Sequence, residues 1–258
     1  MGTSTKTPAK RAKLGPAGKA KTVGSPPSAF GYGDVASSLV LIFPLFLGYA
    51  IGVMFAETMN GVDFISRFVF RLVGYDRTYY FLAHLCVAGA FLVFLLYLRK
   101  KHSFSFKGVP PMLLESAIYA LTLGTLIIFV MDKLLGFAAV GPSVMALGRI
   151  GEAIVTSMGA GVHEELVFRV GMMAGIASIL MYLKLGRGVA IVIALAVSSL
   201  VFSGVHHIGP LGDDWDVGVF TYRTLAGVVF GLIFYFRSLA HAVYTHFFYD
   251  VYVLLLRS

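Results

Sequence analysis

The chain has 258 residues, of which 58% are hydrophobic and only 13% charged, with a formal net charge of +8. A soluble domain of this length would expose far more charge, so the composition excludes that class and points to an all-α, polytopic membrane bundle. The charge also argues against nucleic-acid binding: Lys6, Lys10, Arg11, Lys13, Lys19 and Lys21 precede the first acidic residue, Asp34, and other basic residues cluster between apolar runs, as in cytoplasmic loops and basic tails. The single cysteine, Cys86, excludes an intramolecular disulfide and a cysteine-based metal site.

Residues 1–33, rich in Lys, Ala, Gly, Pro and Ser, read as a disordered basic cytoplasmic tail. Residues 34–110 are expected to hold N-terminal transmembrane helices. Val35 to about Ala56 is long enough to span a bilayer and lacks a clear small-residue cleavage site, so it reads as a retained first span. The second, Tyr79 to Leu98, ends at Arg99-Lys100-Lys101. Residues 111–258 are expected to form the functional core, beginning with a third span from about Met112 to Leu135 after Pro110-Pro111. Ile150 to Leu183 is too long for one plain span and contains Gly159 and Gly161, which predict a short lead-in helix and then a span from near His163 to Lys184. Val189 to about His206, Val217 to Phe236 and Leu239 to Leu256 complete seven spans, with an acidic loop from Gly209-Pro210 through Gly212-Asp213-Asp214.

If the spans alternate, the basic tail, Arg99 to Lys107, Lys184 with Arg187, and Arg237 share one side, and the Asp213 to Asp216 loop and Glu57 to Arg77 share the other. The positive-inside bias then places the N-terminus in the cytoplasm, and the expected setting is a plasma (inner) membrane. On this topology Glu164 and His206 lie near outer helix ends and His246 and Asp250 near mid-depth, so a site built from them opens outward.

These residues are the polar islands of a greasy half-chain. A carboxylate or imidazole at membrane depth costs several kcal/mol unless it is paired or faces water, so their recurrence in three spans implies chemistry. Glu165 and Arg169, four apart, share a helix face in the favourable order for an ion pair. Glu164 is turned about 100° away on an ideal helix and has no cation near it in sequence; burial strengthens such a carboxylate as a base. A zinc-protease helix is excluded, because His163-Glu164 is followed by Val167 where the second histidine of H-E-x-x-H would stand. Phe202 and His206 share a face, as do His246 and Asp250, again at four-residue spacing. The last three residues suit either a divalent cation such as zinc or the stabilisation of an oxyanion. Gly171-xxx-Gly175 and Gly227-xxx-Gly231 are small faces that would let helices approach closely. Glu115, Asp132 and Glu152 read as helix-end or packing residues, His207 as interfacial and His241 as near-surface.

Glu164-Glu165 with Arg169, then Phe202 with His206, then His246 with Asp250, in that order on separate helices, resembles the CAAX-protease and bacteriocin-processing family (CPBP, or Abi) of intramembrane endopeptidases. The resemblance covers roughly Met112 to Leu256 and includes Gly227 to Gly231 and Arg237-Ser238-Leu239. It implies that Glu164 activates a water, aided by His206, that His246 and Asp250 stabilise the oxyanion or complete the polar cluster, and that Glu165, Arg169 and Phe202 are structural or orienting. It requires no cofactor. Asp250 stands where the family often has Asn, which favours a cation more than that family pattern does. The implied partners are a lipid bilayer and a membrane-anchored or exported protein or peptide, the latter being the substrate class of the bacterial, myxosortase-like members. A proton-coupled transporter and a non-catalytic scaffold are the alternatives; no internal repeat supports the first, and no motif residue is lost as the second would predict. A reporter fused into the Asp213 to Asp216 loop should read as extracytoplasmic, and a cytoplasmic reading would overturn the topology.

Overall fold

The computed structural model describes residue 2 and residues 35–56, 60–101, 106–136, 150–208 and 212–256. Apart from residue 2, the basic tail lies outside the described residues. Within them the secondary structure is helical, with no strand: α1 (Val35–Gly52), α2 (Phe64–Leu72), α3 (Arg77–Lys101), α4 (Val109–Leu134), α5 (Ile150–Tyr182), α6 (Arg187–Val205), α7 (Val217–Phe236) and α8 (Leu239–Leu256). Arg77–Tyr97 of α3, and α4 through α7, are each long and apolar enough to cross a membrane, and α1 contributes the shorter apolar stretch Ser37–Gly52. The chain is an integral, multi-pass membrane protein with an all-α bundle fold.

Two elements depart from the sequence reading. The segment expected to divide into a lead-in helix and a span is one continuous helix, α5, and Glu164 sits midway along it rather than at a helix start. Gly159 and Gly161 do not break it, because without water to hydrogen-bond a broken backbone the helix keeps its bonds. It widens instead into π register over Ala160–Glu164 and Leu166–Ala174. Such wide turns frequently accompany functional sites. The second departure is α2, which falls in the stretch read as a loop. Asp63 caps it by accepting the Ser66 amide N–H at 2.8 Å, satisfying one of the donors that a helix start leaves open.

α6 and α7 pack antiparallel, with Ser203 Oγ donating to the Phe220 carbonyl at 2.7 Å near one end and Gly231 facing Leu195 further along. Gly227 and Gly231 serve close approach as expected: an added Cβ would lie 3.1 Å from Ser199 and 2.3 Å from Leu195. Gly171 and Gly175 do not. A Cβ at Gly175 would meet nothing within 4 Å, and one at Gly171 only the Leu166 carbonyl at 3.6 Å. The close approaches of α5 are instead at Gly159, where a Cβ would run into the Tyr49 ring at 2.4 Å, and Gly161, where it would lie 2.9 Å from the Val243 carbonyl oxygen of α8. One core gathers Ile42 and Leu45 of α1, Val162 of α5, Ala194 of α6, Phe234 of α7 and Val243 of α8. α1 is therefore packed into the same core as the later helices.

Polar contacts fix the two ends of the bundle. At one, Arg237 donates to Glu115, which also accepts from Tyr119, while His241 Nε2 lies 3.6 Å from Glu115. These contacts bring the start of α4 against the α7–α8 turn, and the antiparallel α6–α7 pair carries the start of α6, with Arg187, to that same end. At the other, Asp213 pairs with Arg223 beside the end of α6. His241, read as near-surface, is half-buried at this end of the bundle, with its side chain 15% exposed. Gly161→Ala should destabilise the protein by about 1–3 kcal/mol, because its Cβ meets backbone that cannot move aside, whereas Gly175→Ala should be neutral or mildly stabilising. Thermal unfolding in nanodiscs separates the two, and equal effects would contradict the packing.

Candidate active site

Glu165 and Arg169 lie on adjacent turns of α5, both with no exposed surface. Arg169 Nε donates to Glu165 Oε2 at 2.9 Å. The guanidinium carbon lies 5.3 Å from the centre of the Phe202 ring, so the aromatic face meets part of the charge that hydrogen bonds do not. The other oxygen of Glu165, Oε1, accepts from His246 Nδ1 of α8 at 2.9 Å. The carboxylate is thus shared between two helices, and the bond fixes the imidazole so that Nε2 points away from it. Phe230 of α7 stacks against that ring at 4.4 Å and 15°, which holds its plane as well.

Glu164 is 5% exposed and faces the space between the helices. Its Oε2 lies 3.7 Å from His206 Nε2 and 3.9 Å from His246 Nε2. His206 Nδ1 is 2.7 Å from the Phe202 carbonyl. A carbonyl only accepts, so Nδ1 carries the proton, and in the neutral ring Nε2 presents a lone pair toward Glu164. Asp250, one turn beyond His246, places Oδ2 at 3.7 Å from the same His246 Nε2. His206 and Asp250 keep 27% and 23% of their side-chain surface exposed, so the cluster is closed on the Glu165 side and open on theirs. Phe202 touches most of it: its ring centre is 5.0 Å from that of His206, 6.0 Å from His246 and, edge-on, 5.2 Å from Phe168. The structure therefore brings Glu164, His206, His246 and Asp250 to one place, with Glu165, Arg169 and Phe202 behind them.

Three residues of this neighbourhood escaped the sequence reading. Asn60, in the turn before α2, donates from Nδ2 to Glu164 Oε1 at 2.7 Å. Glu164 is thus not without a partner; its partner is 104 positions away, where no helical spacing could find it. Asp63 is fully buried and places Oδ1 3.3 Å from His163 Nε2, so the residue beside Glu164 is also engaged from this turn. Phe230 is the third. The Asn60-Gly61 dipeptide and Asp63 before an apolar pattern are legible as a turn and a helix cap, but neither signals what the side chains reach.

The sequence leaves open a divalent ion on His206, His246 and Asp250. Among the described residues no group of three or more His, Cys, Asp or Glu side chains is gathered to hold a metal ion. Residues 146–252 match the family model described as Rce1-like, type II CAAX prenyl endopeptidase. The match takes in α5 through all but the last turn of α8, and so Glu164, Glu165, Arg169, Phe202, His206, His246 and Asp250. No curated protein and no solved structure matches the chain. Three helices, α5, α6 and α8, bring these residues around one buried carboxylate, and the segment that carries them is similar to the type II CAAX prenyl endopeptidase family.

Proposed function

We propose that this protein hydrolyses a peptide bond in a membrane-anchored or exported protein, with Glu164 as the base that activates water. The observation that carries this reading is the division of labour on one carboxylate: Oε1 is held by Asn60, while Oε2 faces two imidazole nitrogens at 3.7 and 3.9 Å. Those separations are too long for direct hydrogen bonds. A water bonded to both Glu164 Oε2 and His206 Nε2 satisfies each, and it lies where the site is open.

In the reaction, the water oxygen attacks the carbonyl carbon as its proton passes to Glu164 Oε2. The carbonyl electron pair moves onto oxygen, and His246, when protonated at both nitrogens, donates from Nε2 to that oxyanion. Asp250 faces the same nitrogen, so it orients the ring, or in its protonated form donates alongside it. Glu164 then gives its proton to the amide nitrogen as the C–N bond breaks. The products are a carboxylic acid and an amine. Glu165 and Arg169 hold His246 in the ring orientation this requires.

Residues 111–258 carry all of these reactive groups, and residues 34–110 supply helices that pack on them. The substrate class follows from side. His206 lies at the end of the bundle opposite Arg187 and Arg237, and on the charge-bias topology that end faces outward from a plasma membrane. An outward site favours an exported or anchored substrate, as for the myxosortase-like bacterial members, over a cytosolic prenylated protein.

Mass spectrometry of membrane and secreted fractions tests this. Proteins that lose a C-terminal segment in wild-type cells should retain it when the gene is deleted and when Glu164→Gln replaces the chain, since removing a positioned base costs roughly 100-fold or more in rate. Full processing by a folded Glu164→Gln protein would sink the assignment of the base.

A further inference from the structure

The turn between α1 and α2 contacts the site more closely than its remoteness in sequence suggests. Asn60 and Asp63, three residues apart, reach His163 and Glu164, which are consecutive on α5. Asn60 is itself restrained on every side. Its amide N–H donates to the Tyr49 hydroxyl at 3.0 Å, its Oδ1 accepts the Val62 amide N–H at 3.0 Å, and its carbonyl accepts from Arg67 at 3.3 Å. The two ends of its side-chain amide are therefore identified by chemistry. The end that meets an amide N–H must be oxygen, and the end that meets a carboxylate must be NH2. Asp63 anchors the turn further, because it caps α2 with the same Oδ1 that lies 3.3 Å from His163 Nε2. Tyr49, whose ring lies 4.8 Å from that of His163, closes the loop between α1, the turn and α5.

We propose that Asn60, which lies outside the family-matched segment, is a positioning residue for Glu164: its amide pins Oε1 so that Oε2 alone is presented to water between His206 and His246. The proposal rests on the reading of Glu164 as the base. Glu164 is surrounded by His206 at the end of α6 and by His246 and Asp250 of α8, with His163, Glu165 and Arg169 on its own helix and Asp63 behind His163. A carboxylate free to swing among these groups closes the 3.7 and 3.9 Å separations and pairs directly with an imidazolium. That pairing removes the base from the water it must activate. A 1 Å misplacement of this kind is worth about 100-fold in rate. The bond from Asn60 is charge-assisted and short, and the backbone that carries it is tied to α1 and α2, so the carboxylate is held from outside its own helix.

The test uses the full chain in nanodiscs and, as probe, a membrane-anchored peptide taken from a protein that loses its C-terminal segment in wild-type cells, with a fluorophore and quencher on either side of the scissile bond. Asn60→Ala should lower kcat by roughly 10- to 100-fold and leave KM within about twofold. The isosteric Asn60→Asp, which sets a carboxylate against Glu164, should lose at least as much. In a Glu164→Asp background, whose shorter side chain no longer reaches the turn, adding Asn60→Ala should cost less than about twofold further. A purely structural role would add its full cost in both backgrounds.

Thermal unfolding of the same kind of cycle, Asn60→Ala with Glu164→Ala, tests the underlying contact without turnover, and the kcat cycle tests its catalytic consequence. The melting-temperature loss from Asn60→Ala should at least halve when Glu164 is already Ala. Additive melting shifts, or a kcat for Asn60→Ala within about twofold of wild type, overturn the proposal. If instead Glu164→Gln cleaves at full rate, the assignment of the base fails, while the thermal cycle still reports whether Asn60 and Glu164 are coupled.

Discussion

Glu165 is a carboxylate with no exposed surface, and the site depends on how it is satisfied. Burying an ion costs several kcal/mol even after the protein relaxes, a cost offset only when its lone pairs are taken by good partners. Here one oxygen is taken by Arg169 on the same helix and the other by His246 on α8. The first bond neutralises the charge locally. The second ties two helices together and sets which nitrogen of His246 faces Glu164. Removing Arg169 leaves a buried carboxylate without its guanidinium, and removing His246 leaves one carboxylate oxygen unsatisfied, so the arrangement of α5 against α8 and the orientation of the imidazole are held by the same residue.

The close approach of the helices is what makes those bonds possible. Gly161 lets α5 come against the backbone of α8 at Val243 and Phe247, next to His246. Gly227 and Gly231 let α7 do the same against α6 at Ser199, Phe202 and Leu195. In a lipid environment packing and interhelical hydrogen bonds, rather than the hydrophobic effect, drive helix association. Small residues beside polar ones therefore have a double effect here. They shorten the distance between backbones, and they bring side chains such as Glu165 and His246 within hydrogen-bond reach. The π register of α5 through Glu164 belongs with this, since a widened helix points its carboxylates differently from an ideal one.

The Asn60 turn shows how a site within residues 146–252 can be completed from outside them. α1 and α2 have little to do with the polar islands as sequence, yet α1 shares the core with α5 to α8, and the turn after it reaches Glu164. The arrangement gives the second oxygen of that carboxylate a partner that no residue of the motif-bearing helices supplies.

Much of the fold was legible because hydropathy and helix length are local properties. Each of the seven expected spans corresponds to a helix, and Val217–Phe236 and Leu239–Leu256 match to the residue. The pairing of Glu165 with Arg169 was legible for the same reason, since it lies along one helix. Apart from α2, a short helix in a stretch read as a loop, the misreadings were matters of contact between segments distant in sequence. Gly159 and Gly161 looked like helix breaks and are packing surfaces; Gly171 and Gly175 looked like packing surfaces and meet almost nothing across the interface. Glu164 looked unpartnered and is held by Asn60. Periodicity along one helix therefore determined the spans, the polar positions and their order, because those follow from the chain's own chemistry at each residue. Only the tertiary structure decided which oxygen meets which nitrogen, because that depends on how closely and in what rotation separate helices pack.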